Sequence, residues 1–187
     1  MAQEEVTAVL TATHADSRDA LDALFPLVYA ELRRMAHTAL AREGGPRTLD
    51  TNALVHEAYL RMVDSTQVSE RGRGYFFAAA ARAMRQVLVD SARRRRAKKR
   101  TAGERRVTLE TDTVAVDAFA DEIVDIDRML ARLATSHARA VHVVECRFFA
   151  GLSVEETAGA LDLSPRTVKR DWAFAQTWLK RELSHES

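Results

Sequence analysis

Between Ser17 and about residue 41 the apolar positions Leu21, Leu24, Leu27, Val28, Leu32 and Met35 recur at helical steps, which gathers them on one side of a helix. Asp16 or Ser17 is placed to cap it. The same period returns in Leu54, Val55, Ala58 and Met62, predicting a helix from about Thr51 to Val63. It returns again in Phe77, Ala80, Ala81, Met84 and Leu88, on a helix that begins near Tyr75 and runs into a basic stretch. Further helices are expected near 126–134, 136–149, 153–161 and 165–183, with a short one at 4–12. The Gly-Gly-Pro of 42–48 marks a loop, and the polar, glycine-containing 64–74 marks another. The pattern is that of an all-α chain.

The last two of these helices form a unit. Ser153 and Glu156 have the S-x-x-E spacing of a capping box. Leu161, Asp162 and Leu163 make a turn, and Asp162 is a residue type that tolerates a left-handed backbone. Ser164 caps the next helix and Pro165 occupies its first position, where a missing N–H costs nothing. Val168, Trp172, Ala175, Leu179 and Leu183 then share one apolar stripe. Arg166, Thr167, Lys169 and Arg170 are left outside it, at the end where a helix-turn-helix presents side chains to base edges in the major groove. An ordinary helical hairpin with a solvated basic end is the plainer reading of the same pattern.

Charge sharpens the picture. The 187-residue chain has a formal net charge of only +1, yet residues 91–106 are heavily basic. Residues 107–127, VTLETDTVAVDAFADEIVDID, then hold seven Asp or Glu and no Lys or Arg. At ordinary salt, charges beyond about 10 Å are screened, so these local fields matter more than the total. The switch at 106/107 is the best boundary in the chain. It predicts two small helical domains, 1–106 and 128–187, joined by a flexible acidic linker at 107–127. On the helix after Tyr75, residues Arg82, Arg85, Gln86, Arg93 and Arg96 fall opposite the apolar stripe, so the basic run continues a stripe that starts inside the domain. Such a face suits nucleic acid, although a merely solvated charged face has the same composition.

Other classes are disfavoured. With 47% apolar residues the chain can build packed cores. No apolar run is long enough to span a bilayer, and MAQEEVTAVL lacks the basic start and apolar stretch of a signal peptide. Cys146 is the only cysteine, which rules out an internal disulfide or a site of Cys pairs and suits the reducing cytoplasm. HEAYL lacks the second His of a zinc-protease helix. No catalytic constellation, phosphate loop or cofactor fingerprint is present, so neither an enzyme nor a cofactor is expected. On the 51–63 helix, His56, Glu57, Leu60 and Arg61 lie outside the apolar stripe, and an exposed Leu beside charges suits a partner surface.

Taken in order, these segments resemble the extracytoplasmic-function sigma factors of bacterial RNA polymerase, over about residues 18–185. NALVHEAYLRMVD is similar to the family's core-polymerase-binding helix, YFFAAAARAMRQVLVDSARRRR to its promoter-melting and −10-reading helix, and LSVEETAGALDLSPRTVKRDWAFAQTWLKREL to its −35-reading helix-turn-helix. Ala53 and His56 stand where the family usually has Asp and Gln, and Asp171 where many members have Arg or another polar residue.

The resemblance implies a protein that binds core polymerase through His56, Glu57, Leu60 and Arg61. It implies −35 recognition by Arg166, Thr167, Lys169 and Arg170. Arg82, Arg85 and Gln86 would face the −10 element, with Arg93, Arg94 and Arg96 along upstream phosphates. The 64–74 loop would take up a base flipped from the non-template strand, with Tyr75, Phe76 and Phe77 nearby, one or two of them in the core. The acidic linker would enter the polymerase's nucleic-acid channels, or serve only as a soluble tether. Implied partners are core RNA polymerase and promoter DNA, with an anti-sigma factor or other regulatory protein as a further class; no membrane is involved. Two other functions fit parts of the pattern: a stand-alone helix-turn-helix regulator, and an RNA-binding antitermination protein using the arginine run.

Overall fold

A computed structural model of the chain describes residues 17–41, 49–63, 72–101 and 111–186. The helix expected at 4–12, the 42–48 loop and most of the 64–74 loop lie outside the described residues. Among those described there are six α-helices and no strand: α1 (Ser17–Leu40), α2 (Thr51–Val63), α3 (Gly72–Thr101), α4 (Thr111–Val144), α5 (Val154–Leu161) and α6 (Pro165–Glu186). A single π-helical turn, Glu145–Phe149, separates α4 from α5. No described helix is long and apolar enough to cross a membrane.

The stripes read from the sequence become the core. Val28, Leu32 and Met35 of α1, Leu54, Val55, Ala58 and Met62 of α2, and Phe77, Ala80, Ala81, Met84 and Leu88 of α3 are all buried. Burying each large apolar side chain contributes about 1.5–3 kcal/mol, so three such stripes meeting suffice to fix α1, α2 and α3 against one another. Helix α3 buries more than one stripe. Phe76, Val87 and Val89 are also buried, because α4, the π turn and α5 pack on its remaining faces. Of the three aromatics at its start, Phe76 and Phe77 are core and Tyr75 is half-buried.

The acidic segment is the main departure from expectation. Residues 111–127, read as flexible linker, are helical and continue to Val144 as α4. The physical reason lies beneath the charge. Ala120, Ile123, Ile126, Met129, Leu130 and Leu133 recur at three- and four-residue steps and are all buried. The helices expected at 126–134 and 136–149 follow one another along α4, with a break close to the expected boundary. It breaks at His137, whose backbone is non-helical (φ −137°, ψ 52°). Thr135 Oγ1 donates to the Arg132 carbonyl there, and the Ser136 hydroxyl lies 2.8 Å from His137 Nδ1. Such local bonds compete with the helical ladder and bend it.

Helices α5 and α6 are built as their caps predict. Ser153 Oγ accepts from the Glu156 N–H at 3.0 Å, and the Glu156 carboxylate accepts from the Ser153 N–H at 2.6 Å. Asp162 ends α5 in the left-handed region (φ 53°). The Ser164 hydroxyl accepts from the Thr167 N–H at 3.1 Å, just inside α6. Val143, Ala158 and Val168 form a small core of their own under this pair, with Leu161, Leu163 and Trp172 against it. Leu183 is a correction: placed in the α6 stripe by its period, it is 47% exposed, while its neighbour Glu182 is the one turned toward α4, where it meets Arg132 at 2.6 Å.

The segments read as separate modules pack on one another. Buried apolar residues from α1 to α6 form one continuous cluster. Gly151, in the left-handed region at φ +66°, lets the turn before α5 lie against Thr38 of α1, where a Cβ would strike the threonine side chain. Arg34 of α1 reaches Glu156 of α5 at 2.9 Å.

Candidate nucleic-acid interface

The basic face of α3 is occupied by carboxylates. Helix α4 runs antiparallel to α3, as the pairing order shows. Arg95 meets Asp117 at 2.5 Å, Arg96 meets Asp121 at 2.9 Å, and Arg93 meets Asp127 at 2.8 Å. Asp125 lies 3.7 Å from Arg96, and Lys99 lies 3.6 Å from Asp117. Asp117, Asp121 and Asp125 repeat every fourth residue, which sets them in one row beside the buried Ile123 and Ile126 stripe. The two faces are complementary at helical register.

Arg85 sits deepest. It was expected on an outward basic stripe; its side chain is only 13% exposed and is clamped between two carboxylates. It donates to Asp127 Oδ1 through Nη2 at 2.7 Å and Nε at 3.1 Å, and to Glu145 Oε1 through Nη1 at 2.8 Å. Glu145, in the π turn, also has Arg82 at 3.7 Å and His142 Nδ1 at 3.0 Å. Its side chain is 6% exposed. Burial pushes this carboxyl up, but the hydrogen bond with His142 and the charges of Arg85 and Arg82 outweigh it and hold it below the usual carboxylate range. The pairs at the helix ends differ in kind. Arg93 and Lys99 are mostly exposed, and pairs of that sort contribute about 0–1 kcal/mol each.

The remaining α3 candidates divide. Arg82 and Gln86 are exposed at the rim of an open groove of about 380 Å³ that also takes in Arg61, Asp90 and Arg93. Arg94 is exposed on the far side of α3 from the acidic row. On α2, Leu60 stands 57% exposed, with His56 exposed and Glu57 half-buried beside it. His56 lies 5.8 Å from the Phe25 ring, and Arg61 turns back to donate to Asp90 of α3 at 2.8 Å. The row of carboxylates on α4 is what the reading from sequence missed. Its signal was present in the apolar period of 119–133, under a composition that read as linker.

On α6, Arg166, Lys169 and Arg170 are exposed around the buried Val168 and Ala175. Thr167 is half-buried and its hydroxyl lies 2.9 Å from that of Ser164, so it serves the cap. Asp171 is buried beneath the mostly exposed side chains of Arg139 and Arg170. It accepts from Arg139 Nε at 2.5 Å and from Arg170 Nε at 3.4 Å, and the hydrogen bond from Arg139 is the main cause that lowers its carboxyl below the usual range. Cys146 is buried and its thiol is pushed up to about 12, chiefly by burial and then by Glu145, so it is an inert core residue. Among the described residues no group of His, Cys, Asp and Glu is arranged to hold a metal ion.

The described residues thus form an all-helical fold with one long basic helix and a capped helix pair, α5 and α6, near its C-terminal end. The chain belongs to the ECF sigma factor family, whose sequence model matches residues 3–185. It is thus a transcription-initiation factor whose partners are core RNA polymerase and promoter DNA. A solved structure of CnrH in complex with the cytosolic domain of CnrY is similar at 18% identity and a TM-score of 0.42, covering 100% of both chains. No curated protein matches the chain.

Proposed function

We propose that the chain directs promoter-specific initiation by reading two promoter elements with two parts of its fold. The first turns of α6 enter the major groove of the −35 element. Arg166, Lys169 and Arg170 face base edges and flanking phosphates, and Thr167 stabilises the helix start. Arg82 and Gln86 of α3 face the −10 element and the melted strand, with the largely buried Arg85 bracing the helix beneath them, and Arg93, Arg94 and Arg96 lie along upstream phosphates. His56, Glu57, Leu60 and Arg61 of α2 meet core polymerase. The observation that carries the reading is the α6 start: a capped N-terminus with three exposed basic side chains around an inward Val168 and Ala175.

A basic side chain paired bidentately with a guanine supplies about 1–3 kcal/mol of discrimination. Lys169→Ala and Arg170→Ala should each reduce run-off transcription from cognate promoters, and should flatten the preference among templates carrying single changes in the upstream element, while core binding survives. An unchanged preference profile in both variants removes α6 from promoter reading.

A further inference from the structure

We infer that Asp171 is a positioning residue that sets the selectivity of α6: pinned by Arg139 of α4, its carboxylate holds the Arg170 guanidinium at one angle, so that Arg170 addresses one base pair rather than any phosphate within reach. This rests on the promoter-reading role proposed for α6. Arg139 grips the carboxylate with two nitrogens, Nε to Oδ2 at 2.5 Å and Nη2 to Oδ1 at 3.3 Å. Arg170 shares Oδ1, donating through Nε at 3.4 Å. Among the described residues, the two terminal nitrogens of Arg170 have no hydrogen-bond partner. They are a pair able to face the two major-groove acceptors of a guanine.

An acid in this place works against DNA binding in general. Its neighbours Arg166, Lys169 and Arg170 are exposed and cationic, and a carboxylate among them repels phosphate and lowers sequence-independent affinity. The carboxylate is ionised, because the hydrogen bond from Arg139 holds it below the usual range. Its side chain is only 10% exposed, while both arginines above it are mostly exposed. Ion pairs with such solvated partners add little to stability, so the contribution left to Asp171 is orientation. A long side chain restrained before DNA arrives loses less freedom on binding in that one geometry, and gains nothing from binding in others. Arg139, Arg170, Asp171 and Phe174 line an open groove of about 450 Å³, so a duplex can reach the restrained guanidinium.

The test is run-off transcription by full-length chain with core polymerase. Each reaction holds the cognate template and one template with a single changed base pair in the upstream element, so the readout is a preference ratio. Arg170→Ala first identifies its base pair, as the one whose preference it erases. Asp171→Asn, which keeps the shape and removes the charge, should lower the preference at that same pair at least about threefold and leave the others within about 1.5-fold. Transcription from the changed template should hold or rise, because a negative charge near phosphate is gone. A uniform loss on all templates shows that Asp171 only supports the fold and overturns the inference, and so does an unchanged profile. Arg139→Met is the second variant, since that side chain is mostly exposed and the apolar core stays in place without it. It should lower the preference at the same base pair, and if Asp171→Asn loses its helical circular dichroism spectrum, the Arg139→Met profile decides by the same criteria. If Arg170→Ala flattens one position and neither other variant touches it, the reading role stands and the positioning role has failed. If Arg170→Ala leaves every preference unchanged, reading by Arg170 has failed, and the inference with it.

Discussion

Glu145 is the residue on which the electrostatics of the molecule concentrate. Its carboxylate is almost fully buried, in contact with Arg85, Arg82 and His142. Removing one member of such a pair leaves charge behind in a low-dielectric site, so Glu145→Ala should destabilise the fold by about 2–4 kcal/mol. Arg85 keeps Asp127, which holds the loss below that of a fully orphaned arginine. The pH dependence has a definite sign. A carboxyl held below its unfolded value binds fewer protons when folded, so its contribution is present above about pH 4.3 and is lost as the pH falls through the folded value. Thermal melts should show stability falling in that acid window, and Glu145→Gln should remove part of the fall. A Glu145→Gln chain with the wild-type acid profile would show that other carboxylates carry it. Asp171 teaches the same lesson about single residues. Its position among exposed basic neighbours marked it as an oddity in a reading helix; only packing reveals that it is held by Arg139 from α4. A charge at a helical position cannot declare its own partner when that partner comes from another helix.

At the scale of elements, the helices whose apolar and polar residues alternate at one consistent period were legible almost to the residue. Helix α2 was expected from Thr51 to Val63 and forms there, with the four predicted inward residues buried. The caps of α5 and α6 were legible because capping is local chemistry, confined to four residues. Helix α4 was not legible in its first half because composition and periodicity disagreed, and seven acids in 107–127 masked Ala120, Ile123 and Ile126. Isolated, that acidic stretch would be a poor helix; packed on α3, its apolar stripe is buried and its charges are matched. Legibility of the α2 surface is tested separately. Leu60 is exposed where the period left it, beside Glu57. Glu57→Arg with Leu60→Asp should abolish association with core polymerase in a titration and leave the helical spectrum intact, because neither side chain supports the core. Unchanged affinity would take α2 out of that interface.

At the scale of the whole molecule, the 17–101 and 111–186 parts meet through the paired charges of α3 and α4 and through close packing. The row of charges between α3 and α4 is one part of their contact; another is the close approach of two backbones, which is independent of salt. Gly74, in the first turn of α3, faces the last turn of α5, where an added Cβ would strike the Gly159 carbonyl, a backbone atom that cannot rotate aside. Two effects of Gly74→Ala therefore oppose each other. Within a helix taken alone, alanine in place of glycine stabilises by roughly 0.5–1 kcal/mol. At a closed contact, the extra methyl forces a shift that costs typically about 1–3 kcal/mol. If the parts are packed as described, the second effect wins. Gly74→Ala should then lower the melting temperature and raise the radius of gyration measured by X-ray scattering, from the roughly 16 Å of a compact chain of this length. If they are mostly apart, the first effect stands alone and the melting temperature rises. The sign of one methyl's effect thus separates a closed molecule from two helical parts on a tether, without disturbing a single charge of that row.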